Sequence, residues 1–440
     1  MGGRRLKSTG TNEKPTLYET FVAISLIGTA SFVLYALLAG ARAFDWIVMC
    51  NESNWQFADY FGHLMLAQNM RRVYSWAVAD WGVFPPLAYL FYRALHMLTA
   101  RDGNFVETPN DYQSQDYVLL AFMFYVIFLT LALLYAVKSW NRNRYKAMFL
   151  CLLTSVPFFA GAYERGNSCL AVVVLLLIAM KWKDDESKVK RELALFMIAV
   201  CAGLKIYPAI FGLPYLKERR WKEAFRLTLY GVVLFFAPFV FFEDGAFSRW
   251  FRNMTTTFGM VGEGRFQFVK GLVNSFFSNA TGKTTNGTPG AIAAFAFLIL
   301  MILLAFLAKS EAKTAFFLCA AMTFFPTNAF RYTLCYLSIP LVIELSERGS
   351  ERIGRNFQSV EIAIYGLLFT IPTYWGAFTT FRLNKFDEAV RTTYVEAWVY
   401  AIAYLLVAAV TFHEISNKAK KRRSTRLAKS PKGVANGKRT

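Results

Sequence analysis

Four short stretches of this chain carry the side chains best equipped for chemistry. The first is Gln56-Phe57-Ala58-Asp59-Tyr60-Phe61-Gly62-His63, where one carboxylate stands among aromatic rings. Such surroundings raise a carboxyl pKa by desolvation and suit Asp59 to act as a general base, although a solvated loop aspartate fits the same pattern. Asp45 and Asp80 are the competing acids. His63 follows Asp59 by four residues, so on a helix the two share a face. The second stretch is Tyr163-Glu164-Arg165-Gly166-Asn167. Glu164 and Arg165 there can simply pair with each other, or Gly166 and Asn167 can open the next helix with backbone donors aimed at an anion. Third comes Lys205-Ile206-Tyr207-Pro208, whose lysine either reaches out to an interface or meets a phosphate in a cavity. The fourth, Thr327-Asn328-Ala329-Phe330-Arg331-Tyr332, offers Arg331 as a phosphate or carboxylate ligand or as a plain interfacial anchor.

Other patterns point nowhere. Asp184-Asp185-Glu186 lies in a lysine-rich region and reads as a solvated acidic face rather than a metal site. The six cysteines have no CxxC spacing, and neither a P-loop, nor Gly-x-Ser-x-Gly, nor His-Glu-x-x-His occurs. Sequons at Asn51, Asn253, Asn279 and Asn286 all fall in polar stretches, where they arise readily by chance. No cofactor is expected. Divalent metal stays open, with Asp59, Asp80 and Asp45 as the obvious ligands but no diagnostic spacing among them.

The elements that must position these residues follow from composition. Of 440 residues, 55% are apolar, 17% aromatic and only 18% charged, too greasy for a soluble protein. The apolar residues collect in runs of about 15–25, long enough to cross a bilayer as helix. An all-α polytopic membrane protein with about twelve spans follows, beginning with Leu17–Gly40 and including runs near Tyr117–Val137, Ala147–Ala162, Ala291–Ala308 and Val395–Phe412. The net charge of +20 is no sign of nucleic acid. It sorts into a tail, with ten Lys and Arg from Lys418 onward, and into short turns such as 138–146, 181–191, 217–226, 309–313 and 348–355. The positive-inside rule then puts these turns and both termini in the cytoplasm. Two long outer segments remain, 41–116 and 243–290, with the apolar stretch Trp81–Leu98 assigned to the first as a short helix. Leu193–Leu204 and Ile206–Leu216 are each too short to cross alone, which predicts a broken helical hairpin with Lys205 and Pro208 at its apex. The expected organisation is a basic N-terminus at 1–16, a membrane module at 17–345, a helical pair at 346–413 and a basic tail at 414–440 lying on anionic lipid.

In their order these motifs resemble the GT-C superfamily of membrane glycosyltransferases, and within it glycosyltransferase family 87. The resemblance covers roughly residues 17–345. It rests on Asp59-Tyr60, Phe84-Pro85-Pro86-Leu87 where the family commonly has Tyr-Pro-Pro-Leu, Arg165-Gly166-Asn167, Leu204-Lys205-Ile206-Tyr207-Pro208, Asn274-Ser275 and Phe325-Pro326. The chain departs from many relatives at Gly166-Asn167-Ser168-Cys169, where Gly-Gln-x-Asn is usual, and at Phe330-Arg331-Tyr332, where histidines are usual.

The resemblance implies an enzyme at the outer face of a bacterial inner membrane. It would move a sugar, mannose or another hexose or pentose, from a polyprenyl-phosphate donor to a hydroxyl of a lipid or glycan acceptor, with inversion. The family's catalytic aspartate falls on Asp59. Lys205 and Arg331, with Arg165 behind them, are the expected phosphate ligands, and Tyr60, His63, Asp80, Glu164, Asn167, Tyr207, Asn274 and Asn328 the further site candidates. The rival reading is a transporter or flippase of a lipid-linked or polar solute, which needs cavity-facing charge and broken helices too. Against it stand the long outer loops and the lack of a repeat between the halves.

Overall fold

The computed structural model describes residues 14–39, 57–75, 82–99, 115–140, 162–163, 165–259, 267–327, 331–354, 357–382 and 399–416. These form an all-α bundle, with one isolated bridge between Thr16 and Arg352. In chain order the helices are α1 (Leu17–Ala39), α2 (Ala58–Gln68), α3 (Pro86–Thr99), α4 (Asp116–Trp140), α5 (Cys169–Trp182), α6 (Lys188–Leu204) and α7 (Leu213–Lys217). There follow α8 (Trp221–Phe236), α9 (Ala246–Gly259), α10 (Val269–Thr281), α11 (Thr288–Leu307), α12 (Glu311–Phe324), α13 (Ser338–Arg348), α14 (Phe357–Arg382) and α15 (Val399–Ser416).

Five helices are long and apolar enough to cross a bilayer: Leu17–Tyr35, Asp116–Trp140, Trp221–Phe241, Thr288–Leu307 and Val399–Ser416. Their outward residues, such as Leu37 and Leu38 on α1, Phe124 and Phe128 on α4 and Ile292 and Phe295 on α11, are exposed, as lipid-facing side chains must be. The protein is therefore a polytopic membrane protein. Helices α5 and α12 are shorter, at 14 residues each, and buried nearly all round, so they form the centre of the bundle. The expected span near Ala147–Ala162 lies outside the described residues. Helices α6 and α8 begin at Lys188 and Trp221, ahead of the apolar runs that mark them, because a polar interfacial turn continues each helix.

The ends of several elements meet at one end of the bundle. Lys217 Nζ donates to Ala305 O (3.0 Å), Ala308 O (2.7 Å) and Thr314 Oγ1 (2.7 Å), capping the last turn of α11. Lys183 bridges Asp184 and Glu218 (2.6 and 2.8 Å), and Arg220 binds Asp184 and Glu223 (2.7 and 3.0 Å). Ser346 Oγ donates to Trp140 O (2.9 Å), and Ile353 N to Pro15 O (2.8 Å). Asp184 and Glu186 are exposed, as the sequence reading of a solvated acidic face expects, and Asp184 and Asp185 pair there with Lys183, Arg220 and Lys190.

From that end α6 rises to Leu204, breaks at Lys205 in extended backbone (φ −147°, ψ 132°), and returns through a 3₁₀ segment, Tyr207–Gly212, and α7. This is the hairpin that the two short apolar runs predict. Pro208 and Pro214 remove donors on the return path, which favours its short, tight pieces. Short helices populate both long segments between the apolar runs: α2 and α3 in 41–116, α9 and α10 in 243–290. With 14 residues, α3 reaches about 21 Å, short of the roughly 30 Å hydrocarbon core of a bilayer.

Candidate active site

At the opposite end from the ion-paired base, Asp59 enters the first turn of α2 after Phe57, which holds a left-handed φ of 59°. Its side chain is buried and doubly held: Arg165 Nη2 donates to Oδ1 at 2.6 Å and Asn167 Nδ2 to Oδ2 at 2.7 Å. Both partners flank Gly166, whose φ of 62° turns the chain into α5. A Cβ at Gly166 would lie 2.5 Å from Tyr60 Cβ and 2.8 Å from the Phe122 ring, so only glycine lets the turn approach α2 this closely. The Asn167 amide is oriented by its own helix, since Oδ1 accepts from Cys169 N (3.1 Å). Its Nδ2 therefore faces Asp59 and also reaches the Tyr332 hydroxyl at 3.1 Å. Tyr332 in turn hydrogen-bonds Asp59.

The sequence suggests a raised carboxyl pKa at Asp59, and the structure reverses that. Burial pushes it up, but the Arg165 guanidinium, the His63 ring and the Asn167 amide together outweigh burial and hold it below its ordinary value. Asp59 is an anion at neutral pH. His63 shares its face of α2, stacked on Phe84 (4.3 Å between ring centres) and Tyr92 (4.9 Å). Burial lowers its pKa to about 4, so the imidazole is neutral. Tyr60 is buried in an aromatic cluster with Phe122 and Tyr125 (4.9 and 5.6 Å), and its hydroxyl has no hydrogen-bond partner among the described residues.

Lys205 caps the far side of this cluster. It is only 8% exposed, with Nζ 5.1 Å from the centre of the Phe84 ring and 5.8 Å from that of Tyr332. Among the described residues no carboxylate pairs with this ammonium and no acceptor takes a hydrogen bond from it. Each cation–π contact is worth about 0.5–2 kcal/mol, against several kcal/mol to bury an ion, so the charge is left undercompensated. The loop beside it is braced from α9: Trp250 Nε1 donates to Val83 O (3.2 Å) and Asn253 Nδ2 to Gly82 O (3.1 Å) and Tyr74 O (3.3 Å). That use of the Asn253 amide makes its sequon a structural one.

The structure thus gathers Asp59, Tyr60, His63, Arg165, Asn167 and Lys205 into one region, and adds Tyr332 and Phe84. Tyr332 was visible in sequence only as the neighbour of Arg331. Asn274 stands elsewhere: its Oδ1 accepts from Gly290 N (2.8 Å) and braces α10 against α11. Tyr207 is half-buried at the start of the hairpin's return. Asp45, Asp80, Glu164, Asn328 and the Arg331 side chain lie outside the described residues. Among the described residues no three His, Cys, Asp or Glu side chains converge as a metal set.

The sequence model of glycosyltransferase family 87 matches residues 83–327, a stretch that contains Arg165, Asn167 and Lys205 and leaves Asp59 just ahead and Tyr332 just beyond. No curated protein matches the chain. Since the match spans more than half of the 440 residues, the chain belongs to glycosyltransferase family 87.

Proposed function

We propose that this glycosyltransferase takes its sugar from a polyprenyl-phosphate donor and passes it, with inversion at the anomeric carbon, to an acceptor hydroxyl at the outer face of a bacterial inner membrane. The observation that carries the reading is Lys205, a buried ammonium with no anionic partner among the described residues, beside a carboxylate already fixed by Arg165. A phosphate supplies the missing charge. Placement supports the outer face: the site lies at the end of the bundle away from the lysine- and arginine-rich turns.

The chemistry follows from charge. Asp59 accepts the acceptor's hydroxyl proton as that oxygen attacks the anomeric carbon, and the bond from that carbon to the phosphate oxygen breaks with its electron pair staying on phosphate. The donor phosphate carries one negative charge before transfer and two after it, while Asp59 goes from one to none. Arg165 and Lys205 supply two positive charges throughout, so the site stays neutral as negative charge moves from carboxylate to leaving group. Phosphate leaves without a protonating acid, and a second carboxylate is not needed. Arg165 acts here through Asp59, holding it before transfer and facing the phosphate once Asp59 is protonated. The resemblance also implies Arg331 as a phosphate ligand.

Purified protein in nanodiscs, given radiolabelled polyprenyl-phosphate sugars and a membrane extract, is expected to transfer label. Asp59→Asn lowers the rate by about 10²–10⁴-fold with the fold intact. Lys205→Ala raises the donor KM and weakens inhibition by free polyprenyl phosphate, and Lys205→Arg restores part of both. Wild-type transfer by a folded Asp59→Asn protein would refute the proposed base.

A further inference from the structure

Helix α6, which ends just before Lys205, separates two apolar grooves. One, of about 970 Å³, is lined by Leu87, Phe124, Phe128, Val174, Val200 and Leu204 among others. The second, of about 520 Å³, lies between the hairpin and α8 and is lined by Ala199, Ala202, Ile206, Ala209 and Gly231 among others. On α6 the first groove takes Phe196, Val200 and Leu204, spaced four apart on one face, while the second takes Ile198, Ala199 and Ala202 on the opposite face. Leu234 of α8 faces the first groove, and Gly231, Val232 and Phe235 face the second, so the packed pair α6 and α8 is a wall between them. Both grooves reach the level of Lys205, one through Leu204 and the other through Ile206.

The second groove is not ordinary loose packing. Small residues between membrane helices normally let backbones close on each other, but here Ala199, Ala202, Ala209, Gly212 and Gly231 leave a channel open. Along α8 it runs from Ala224 to Phe236, about 18 Å at the helical rise, which is the length of a fatty acyl chain. A single polyprenyl chain cannot lie on both sides of the α6–α8 wall. Resting on the donor reading above, we infer that the acceptor is itself a membrane lipid: the larger groove takes the donor's prenyl chain, the second takes a chain of the acceptor, and the two head groups converge on Asp59 and Lys205. A water-soluble or polymeric glycan would leave the second groove without a purpose.

The full-length protein in nanodiscs is tested with labelled polyprenyl-phosphate sugar and two acceptor fractions from the producing cell's envelope, an organic-solvent lipid extract and the delipidated, water-soluble glycans. Label is expected in the lipid fraction. Gly231→Leu fills the second groove from a position with nothing within 4 Å of its Cβ. It raises the half-saturating concentration of lipid acceptor about tenfold, the cost of displacing roughly two methylenes, and leaves the donor KM unchanged. Ala209→Leu, which lines the same groove from an exposed position, does the same and covers the case in which Gly231→Leu fails to fold. Ala171→Phe in the first groove raises the donor KM instead. Label confined to water-soluble glycan, or unchanged acceptor kinetics in both second-groove variants, or a rise in donor KM from them, overturns the inference while leaving the donor assignment standing. No transfer to either fraction from any polyprenyl-phosphate sugar overturns the donor assignment itself.

Discussion

In the proposed reaction Asp59 is a base that its surroundings keep weak. Arg165 at 2.6 Å and Asn167 at 2.7 Å stabilise the carboxylate, so in that reaction its proton uptake is driven by loss of the leaving group rather than by high basicity. This has a pH signature. The carboxyl is held below its ordinary value, so transfer should stay flat from neutral pH down through the usual carboxylate range, with no limb near 6.5 from His63, whose pKa is about 4. In Arg165→Met the burial that raises the pKa persists while the largest opposing charge is gone, so the acid limb of kcat should move to higher pH. A kcat profile of that variant that superimposes on the wild type would remove Arg165 from this role. The same depressed carboxyl contributes stability above its unfolded-state pKa, and that contribution is lost as pH falls through the folded value. In the sequence, Asp59 and His63 are legible from type and spacing alone. The sign of the pKa shift is not, because Arg165 and Asn167 are more than a hundred residues away along the chain.

Two close approaches decide how the elements bring these residues together. At Gly166 the α5 turn touches α2, and at Gly203 the end of α6 touches α3, where an added Cβ would lie 2.5 Å from a Leu87 side-chain carbon. The first contact is to the Tyr60 Cβ, which cannot swing away, whereas the second is to the tip of a leucine. Gly166→Ala should therefore be the harsher change, since it also forces a left-handed φ of 62° on alanine. The expected loss is about 1–3 kcal/mol, read as a lower midpoint of thermal unfolding in detergent together with reduced transfer. Gly203→Ala should cost less than Gly166→Ala in the same assay, and the reverse order would contradict this account. The hairpin itself is legible in sequence, because two short apolar runs joined at Lys205 and Pro208 have no other way to satisfy their backbone in a membrane. Its clamp is not. Asp184 and Asp185 read as surface acids, which they are, and nothing in the sequence names Arg220 and Lys190 as the partners that folding brings to them.

Across the whole molecule, charge is sorted by end: the base is stitched by Lys183, Lys217 and Arg220, while Asp59, Arg165 and Lys205 gather at the other. That asymmetry is what hydropathy and the basic turns announce before any fold is known. What they miss is how the C-terminal helices join the rest. Helix α14 packs along α1, and its Glu361 pairs with Lys313 of α12, with Glu344 of α13 at 3.8 Å from the same ammonium. All three side chains are buried, and apolar periodicity gives no hint that a lysine and two glutamates on separate helices converge. Two carboxylates on one ammonium are tolerable only while the ammonium is there. Lys313→Met should therefore leave Glu361 without its ion-pair partner and Glu344 with only Arg348, at 3.8 Å, and destabilise the protein by about 3–5 kcal/mol, whereas Lys313→Met combined with Glu361→Gln and Glu344→Gln should recover most of that loss. Thermal unfolding of both variants in detergent decides between a buried ion cluster and simple packing. If the triple variant is no more stable than Lys313→Met alone, the lysine matters through its shape, and charge pairing is not what seats α14 against the catalytic core.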